Sequence, residues 1–462
     1  MLSVLRNRTY RRLFAAQVVA LGGTGLATVA LSLLAYDLAG ADAAAVLGTA
    51  LALKMAAYVT IAPLAGALAD RVPRRALLVS MDLARATVVL ALPFVTRVWQ
   101  VYVLILLLQA ASAAFTPAFQ ATIPQVLPEE RDYTEALSLS RLAYDLESLA
   151  SPVLAAALLT VVPYSWLFTG TAAGFLASAL LVRTTTLPAP PGPGGAPARR
   201  LYARVALGGR LVLATPRLRA LLALDLAVAA AGAVVLVDTV LLVRDTLGRS
   251  AGDVPLALGA YGAGSMAVAL LLPRVLGRAD DRAVMVRAAF VLPSALALLA
   301  VGLTAVPGAG SWPALLVVWL VLGAAGSAVL TPGGRVVRRS ADGADLPAAF
   351  AARFSLSHAC WLLTYPLAGV LAAGAGPAVS AAVLAALALV GAVGAARLWP
   401  REDPAELEHV HPELPAGHPH LAGAGGHHAH AFHIDELHRR WPTASGQRGS
   451  RISRPSRTTS RP

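Results

Sequence analysis

Charge is what this sequence has least of. Only 14% of its 462 residues are Asp, Glu, Lys or Arg, while 57% are hydrophobic. A soluble domain carries roughly 25% charged residues, so a water-facing surface of ordinary size is excluded. Cysteine occurs once, as Cys360, which rules out an internal disulfide and any cysteine-based zinc site. Lysine also occurs once, as Lys54, and the first four hundred positions hold a single histidine, His358. No phosphate loop, zinc-protease helix or Ser/His/Asp constellation is present, and no enzymatic activity is expected.

What the chain has is apolar length. A hydrocarbon core of roughly 30 Å is crossed by ~20 apolar residues in a helix. Segments of that kind run from Leu13 to Leu38, Ala44 to Leu68, Ala76 to Val95, Val98 to Ala121, Leu137 to Val162 and Tyr164 to Val182. Six more follow, from Leu218 to Val243, Val254 to Pro273, Ala283 to Leu303, Trp312 to Leu330, Phe354 to Ala373 and Pro377 to Leu398. Between the two sets lies PAPPGPGGAP, residues 188–197, whose proline and glycine resist both helix and packed strand.

The expected fold is an all-α membrane protein of twelve transmembrane helices in two six-helix halves. The divisions are a first half over 1–182, a linker over 183–216, a second half over 217–398, a His-rich tail over 399–442 and a disordered basic tail over 443–462. Arg6, Arg8, Arg11 and Arg12 precede the first apolar stretch with no convincing cleavage site after it, so that stretch reads as a retained helix.

The net charge of +13 does not indicate nucleic acid, because the arginines fall between apolar segments. Arg71, Arg74 and Arg75, then Arg199, Arg200 and Arg204, then Arg274, Arg278 and Arg282, then Arg335, Arg338 and Arg339 share one side with the N-terminus. The opposite loops carry little beyond Arg97, Arg244 and Arg249. Positive loops stay cytoplasmic, which places both termini inside a cell membrane, inner or plasma. The partners expected are the lipid bilayer, a small solute or metal ion and protons, for a monomer that binds no nucleic acid.

GALADRVPRR, Gly66 to Arg75, follows the second apolar segment. Gly66 permits close helix approach, Asp70 supplies a carboxylate for a helix N-terminus or an arginine, and Arg71, Arg74 and Arg75 hold the loop inside. The stretch resembles the G-x-L-x-D-R-x-x-R-[RK] signature of the major facilitator superfamily, whose loop at this place is linked to switching between inward-open and outward-open states. A degenerate second copy, PRVLGRADDR, offers Arg274, Arg278 and Asp280 for the same part. Drug-antiporter relatives often carry an arginine in the fourth helix and Gly-Pro in the fifth, where this chain has Gln109 and then Ser151 and Pro152. A faint echo between SLSRLAYDLESLASP at 138–152 and FSLSHACWLLTYP at 354–366 is what a duplicated six-helix unit leaves.

Nine of the ten histidines lie in the tail: His409, His411, His418, His420, His427, His428, His430, His433 and His438. Three H-x-H pairs recur there, and residues two apart on extended backbone point to one side, offering two imidazoles to one ion. Imidazole suits Ni²⁺, Co²⁺, Cu²⁺ and Zn²⁺. The tail looks like the C-terminus of nickel-resistance exporters within the same superfamily, and that resemblance implies nickel or cobalt as substrate or tail ligand. No further cofactor is required.

An ionisable side chain at mid-membrane costs at least ~2.5 kcal/mol on insertion scales, so each is a candidate for function. Glu147 shares a helical face with Tyr144, Ser148 and Ser151, and Asp145 lies four residues after Arg141. Asp82 and Arg85, three apart, have the spacing of an ion pair. Asp238, Lys54 and His358 complete the set, with His358 placed opposite Tyr144 when Pro366 is aligned with Pro152. The expected function is export of a divalent metal by proton antiport with alternating access, Glu147 and Asp145 exchanging protons for the ion. The alternative is export of a drug, siderophore or other small organic solute, with the His tail regulatory or incidental.

Overall fold

The computed structural model describes residues 2–39, 43–68, 72–187, 201–250, 252–305, 311–404, 406–411, 419–421, 427–435, 437–438 and 440–442, and the statements below concern those residues. Twelve helices are long and apolar enough to cross a membrane. Lipid offers no hydrogen bonds, so each crossing segment must satisfy its backbone internally, and the helix does so. The chain is a multi-pass, all-α membrane protein.

The first half holds α1 (Arg8–Ala39), α2 (Ala43–Leu68), α3 (Arg74–Ala91), α4 (Val98–Val126), α5 (Glu130–Leu159) and α6 (Ser165–Arg183). A further helix, α7 (Leu201–Ala214), lies in the linker, where the sequence reading assigned none. The seventh span begins as α8 (Pro216–Ala233) and continues through a π-turn and a short α9 (Thr239–Leu241) into a second π-turn. Then come α10 (Asp253–Leu276), α11 (Asp281–Ala305), α12 (Ser311–Leu330), the short α13 (Gly333–Arg338), α14 (Leu346–Ala375) and α15 (Pro377–Leu398).

Local chemistry sets the breaks. Pro73 takes an extended conformation before α3, and Pro216 and Pro377 open their helices at positions whose N–H would go unused. Gly376 turns the chain between α14 and α15 with φ at 90°, a region closed to most side chains. α5 and α14 start about two turns before the expected Leu137 and Phe354. Hydropathy leaves out the polar first turns of α5, whereas those of α14, LPAAFAAR, are mostly apolar and buried and are set off from the apolar segment only by Arg353.

The halves meet chiefly where α2 packs on α14 and α5 on α10, with α4 also against α14 and α5 against α13. Gly66 makes the first crossing possible, since a Cβ there would stand 2.4 Å from that of Ala351. Nearby, the Ser355 hydroxyl donates to the carbonyl of Val59 across the same boundary at 2.6 Å. The strongest clamp lies on the face that carries the termini. Arg335 of α13 pairs with Glu130 of α5 at 2.5 Å and with Asp281 of α11 at 3.0 Å, and Arg338 donates to the carbonyl of Pro128. It is Asp281, not Asp280, that carries the ion pairs of the second-half loop. The two halves are therefore closed against each other at this face.

The tail folds back beneath the second half. β1 (Leu407–Val410) pairs antiparallel with β2 (His427–His430), with His409 opposite His428. Leu407, Phe432 and Ile434 join the buried cluster that contains Leu207 and Leu211 of α7 and Val337 and Ala341 near α13.

Candidate functional site

Two groups of residues emerge, one between the halves and one in the tail. Between the halves, Glu147 of α5 is half-buried and accepts from the Ser151 hydroxyl one turn on, at 3.4 Å. Both press on α1 at Gly25, where a Cβ would stand 1.9 Å from Ser151 Oγ and 2.6 Å from Glu147 Oε1. Only glycine lets α1 approach this carboxylate so closely. Lys54 of α2 lies within electrostatic reach of Glu147, and its Nζ stands 5.8 Å from the ring of Tyr58. Tyr144, half exposed, lies beside Gln17 of α1, whose Oε1 accepts from Ser140 at 3.0 Å.

Tyr58 ties this cluster to the second half. Its hydroxyl donates to Gln109 Oε1 at 3.0 Å, and its ring meets His358 edge-on at 4.8 Å. His358 Nδ1 lies 2.7 Å from the carbonyl of Phe354, and that residue's ring is also against it, at 4.2 Å. The sequence alignment set His358 opposite Tyr144, and the partners described for it are the rings of Tyr58 and Phe354 and a backbone carbonyl.

Asp145 belongs to a different arrangement. Arg141 pairs with it at 2.9 Å, and Ser265 of α10 donates to it at 2.6 Å while accepting from Arg141 Nε at 2.9 Å. This triad bridges the halves. Its serine sits in an apolar helix, and nothing in its sequence context marks it. Asp82 and Arg85 form a buried pair inside the first half, where Ser178 donates to Asp82 at 2.7 Å and the guanidinium lies between Phe115 and Phe175. Asp225 pairs with Arg353 at 3.3 Å. Asp238 is fully buried at the end of the first π-turn and accepts from Ser380 of α15 at 2.7 Å. π-turns recur at functional sites because they redirect side chains.

In the switch loop, Gly66 lies at the crossing described above, Arg74 is buried and donates to Gln125, and Arg75 is exposed. Asp70 and Arg71 lie outside the described residues.

The tail gathers four histidines. The ring nitrogens of His409, His411, His420 and His438 come within 4.8 Å of one another. His438 Nε2 stands 2.9 Å from His409 Nε2 and 3.1 Å from His411 Nε2, and His430 Nε2 is 3.4 Å from His420 Nε2. The other nitrogen of several rings faces an acceptor: His409 Nδ1 the carbonyl of Leu407 at 3.0 Å, His430 Nδ1 that of Ala431 at 2.7 Å, and His438 Nδ1 the Asp435 carboxylate at 3.0 Å. Such acceptors fix the tautomer with its proton on Nδ1 and leave Nε2 as the ligand atom.

Asp435 is itself held in place. Burial pushes its carboxyl up, but hydrogen bonds from His438 and the Leu437 N–H outweigh that and bring it down to about 2. The stabilisation this provides is present above the ordinary carboxylate range and is lost as pH falls through about 2. His433 stands apart from the cluster, with its Nδ1 2.6 Å from Asp342, a bond that holds that carboxyl low. His418 lies outside the described residues, and for His427 and His428 only the strand backbone is described.

Comparisons with known proteins agree with this architecture. The sequence profile of the Major Facilitator Superfamily matches residues 13–305 and 226–441. The uncharacterized MFS-type transporter YfiS of Bacillus subtilis (strain 168) is 27% identical over 124 residues, a segment covering 27% of this chain and 30% of that relative's length. Among solved structures, the human organic anion transporter MFSD10 (TETRAN) superposes with a TM-score of 0.71 at 14% identity, covering 84% of this chain and 99% of that one. The fucose:proton symporter FucP in the outward conformation superposes with a TM-score of 0.68 at 14% identity, covering 85% of this chain and 98% of that one. At such identities the likeness is one of fold.

Proposed function

The chain belongs to the Major Facilitator Superfamily, and from that premise we propose that it exports a divalent metal cation, nickel or cobalt, in exchange for protons. The observation that carries the reading is the convergence of four imidazoles in the tail. Two ligand nitrogens each ~2.0–2.1 Å from a tetrahedral ion lie roughly 3.3–3.4 Å apart, and the Nε2 separations of 2.9 Å between His438 and His409 and 3.1 Å between His438 and His411 fall close to that spacing. Neutral imidazoles with the proton on Nδ1 would bring lone pair against lone pair at such distances, and a bound cation relieves this.

Within the membrane, Glu147 is the exchanging carboxylate. Ser151 and Tyr144 stand beside it, and Lys54 balances its charge when no cation is bound. Export then proceeds by alternating access. With the arginine-rich face cytoplasmic, the ion arrives when Arg335 and Arg338 release the first half, and it leaves outward when they engage again. Asp145 and Asp238, each tied to a serine, hold helices in register and offer further sites for a proton.

A second reading has its own observation. Lys54 with Tyr58, Tyr144 and Gln109 makes a cationic, aromatic and amide-lined group that suits a small organic anion better than a bare metal ion. Uptake of radioactive nickel and cobalt into inverted vesicles under an imposed pH gradient decides between them. Gradient-driven accumulation of either metal is expected. No accumulation, together with lowered tolerance to organic compounds alone on deleting residues 405–440, would establish the second reading.

A further inference from the structure

The tail does not hang free. Arg210 of the linker helix α7 donates to the carbonyl of Asp435 at 2.9 Å, and Asp342, in the loop between α13 and α14, is held by His433 at 2.6 Å. Arg217 at the start of α8 reaches Asp403 at 3.1 Å and Ser340 at 2.8 Å, and its guanidinium lies 5.2 Å from the ring of Trp441. Each contact lands on the machinery that closes the terminus-bearing face. α7 touches α2 of one half and α14 of the other. Arg339 is shared between Asp403 at 3.9 Å and Asp281 at 3.7 Å, and Asp281 in turn holds Arg335, which grips Glu130 across the halves.

The parts of the tail that make these contacts are joined by the histidines. Leu407–Val410, Pro419–Leu421 and the turn at Asp435–His438 are short pieces, the longest strands being four residues, too small to hold a fold by apolar burial alone. An ion bound by imidazoles from all three pieces, His409 and His411 at the first, His420 from the second and His438 from the third, supplies what the core lacks, and binding free energy then becomes folding free energy.

We propose that a divalent transition-metal ion held by His409, His411, His420 and His438 latches the transporter, fixing the tail against α7 and the α13–α14 loop and so holding the terminus-bearing face closed. The inference takes from the reading above only that the tail binds metal, and it stands whichever solute crosses the membrane. Alternating access supplies the two states, and the latch favours the closed one because only there are Arg335 and α7 engaged by both halves. A cleft of about 260 Å³ bordered by Asp342, His430 and His433 gives an ion access to the cluster from solvent.

The test uses the full chain in nanodiscs, with Cys360→Ser and spin labels at Arg131→Cys and Arg278→Cys, two exposed positions on that face in opposite halves. Bound nickel, cobalt or zinc is counted by elemental analysis, and the distance distribution is read with and without metal. One ion per chain and a rise of at least about 5-fold in the closed-to-open ratio are expected. The double variant Arg210→Gln/Asp342→Asn should still bind the ion while losing that rise, and His411→Ala/His438→Ala should lose both. Binding without a change in distance in the unmodified tail overturns the latch but leaves the metal reading intact. Absence of binding overturns both.

Discussion

The membrane interior and the tail are built in opposite ways. Around Glu147 there is one carboxylate, one hydroxyl at 3.4 Å and a lysine nearby, a site with a counter-charge already built in. In the tail, four imidazole nitrogens lie within 4.8 Å, and a backbone carbonyl and a carboxylate orient the rings of His409 and His438 from behind. A site on a transport path must let go of what it binds, so few ligands and a competing charge suit it. Four converging ligands, two of them oriented from behind and two of the rings buried, suit retention. In the mechanism proposed above, that difference separates carrying an ion from sensing it within one chain.

The largest effect should follow from dismantling the tail site. His411→Ala/His438→Ala removes two of the four ligands and should weaken binding of nickel or cobalt to the purified chain by more than about 100-fold, measured by competition with a chromophoric chelator. Retained affinity would mean that other tail histidines hold the ion. Glu147→Gln probes the other side of the contrast. It should abolish pH-gradient-driven accumulation in inverted vesicles while leaving the tail's affinity unchanged. Transport that survives this change would move the exchange site elsewhere, Asp238 being the next carboxylate to examine.

Those two variants also divide what was legible in the sequence from what was not. The twelve spans were readable because lipid imposes length and apolarity on every crossing helix. α7 was not, since fourteen residues carrying Arg204 and Arg210 read as part of a charged linker. Arg141 and Asp145 advertise their pairing by spacing, but Ser265, 120 residues from Asp145, carries no mark of its own. In the tail the H-x-H pattern pointed to metal, and among the described residues only His409 and His411 enter the four-histidine group as such a pair. His420 and His438 join from a short turn and from the far end of the module, a meeting that only the folded chain produces. Asp280 and Asp281 look alike in sequence, and the helix start at Asp281 decides which of them faces Arg335.

A middling effect is expected at Asp435, which sets the ring of His438 without touching the ion. Asp435→Asn keeps an acceptor but removes the charge, and metal affinity should fall by about 10- to 100-fold, short of the ligand variants. A loss as large as theirs would make Asp435 a ligand in its own right.

Gly66→Val should give the smallest effect, and it bears on the comparison from the membrane side. The new side chain meets Ala351 at the α2–α14 crossing, which belongs to the closed terminus-bearing face. Overpacking of this kind costs about 1–3 kcal/mol, charged against the closed state alone. Opening of that face should rise by about 5- to 100-fold, read as faster labelling of a cysteine placed at Tyr58 in a chain lacking Cys360. Bound metal should recover part of that shift if the tail and the crossing act on the same closure. Recovery that also occurs in His411→Ala/His438→Ala would show that metal acts through the membrane interior, and the division between a carrying site and a sensing site would fall.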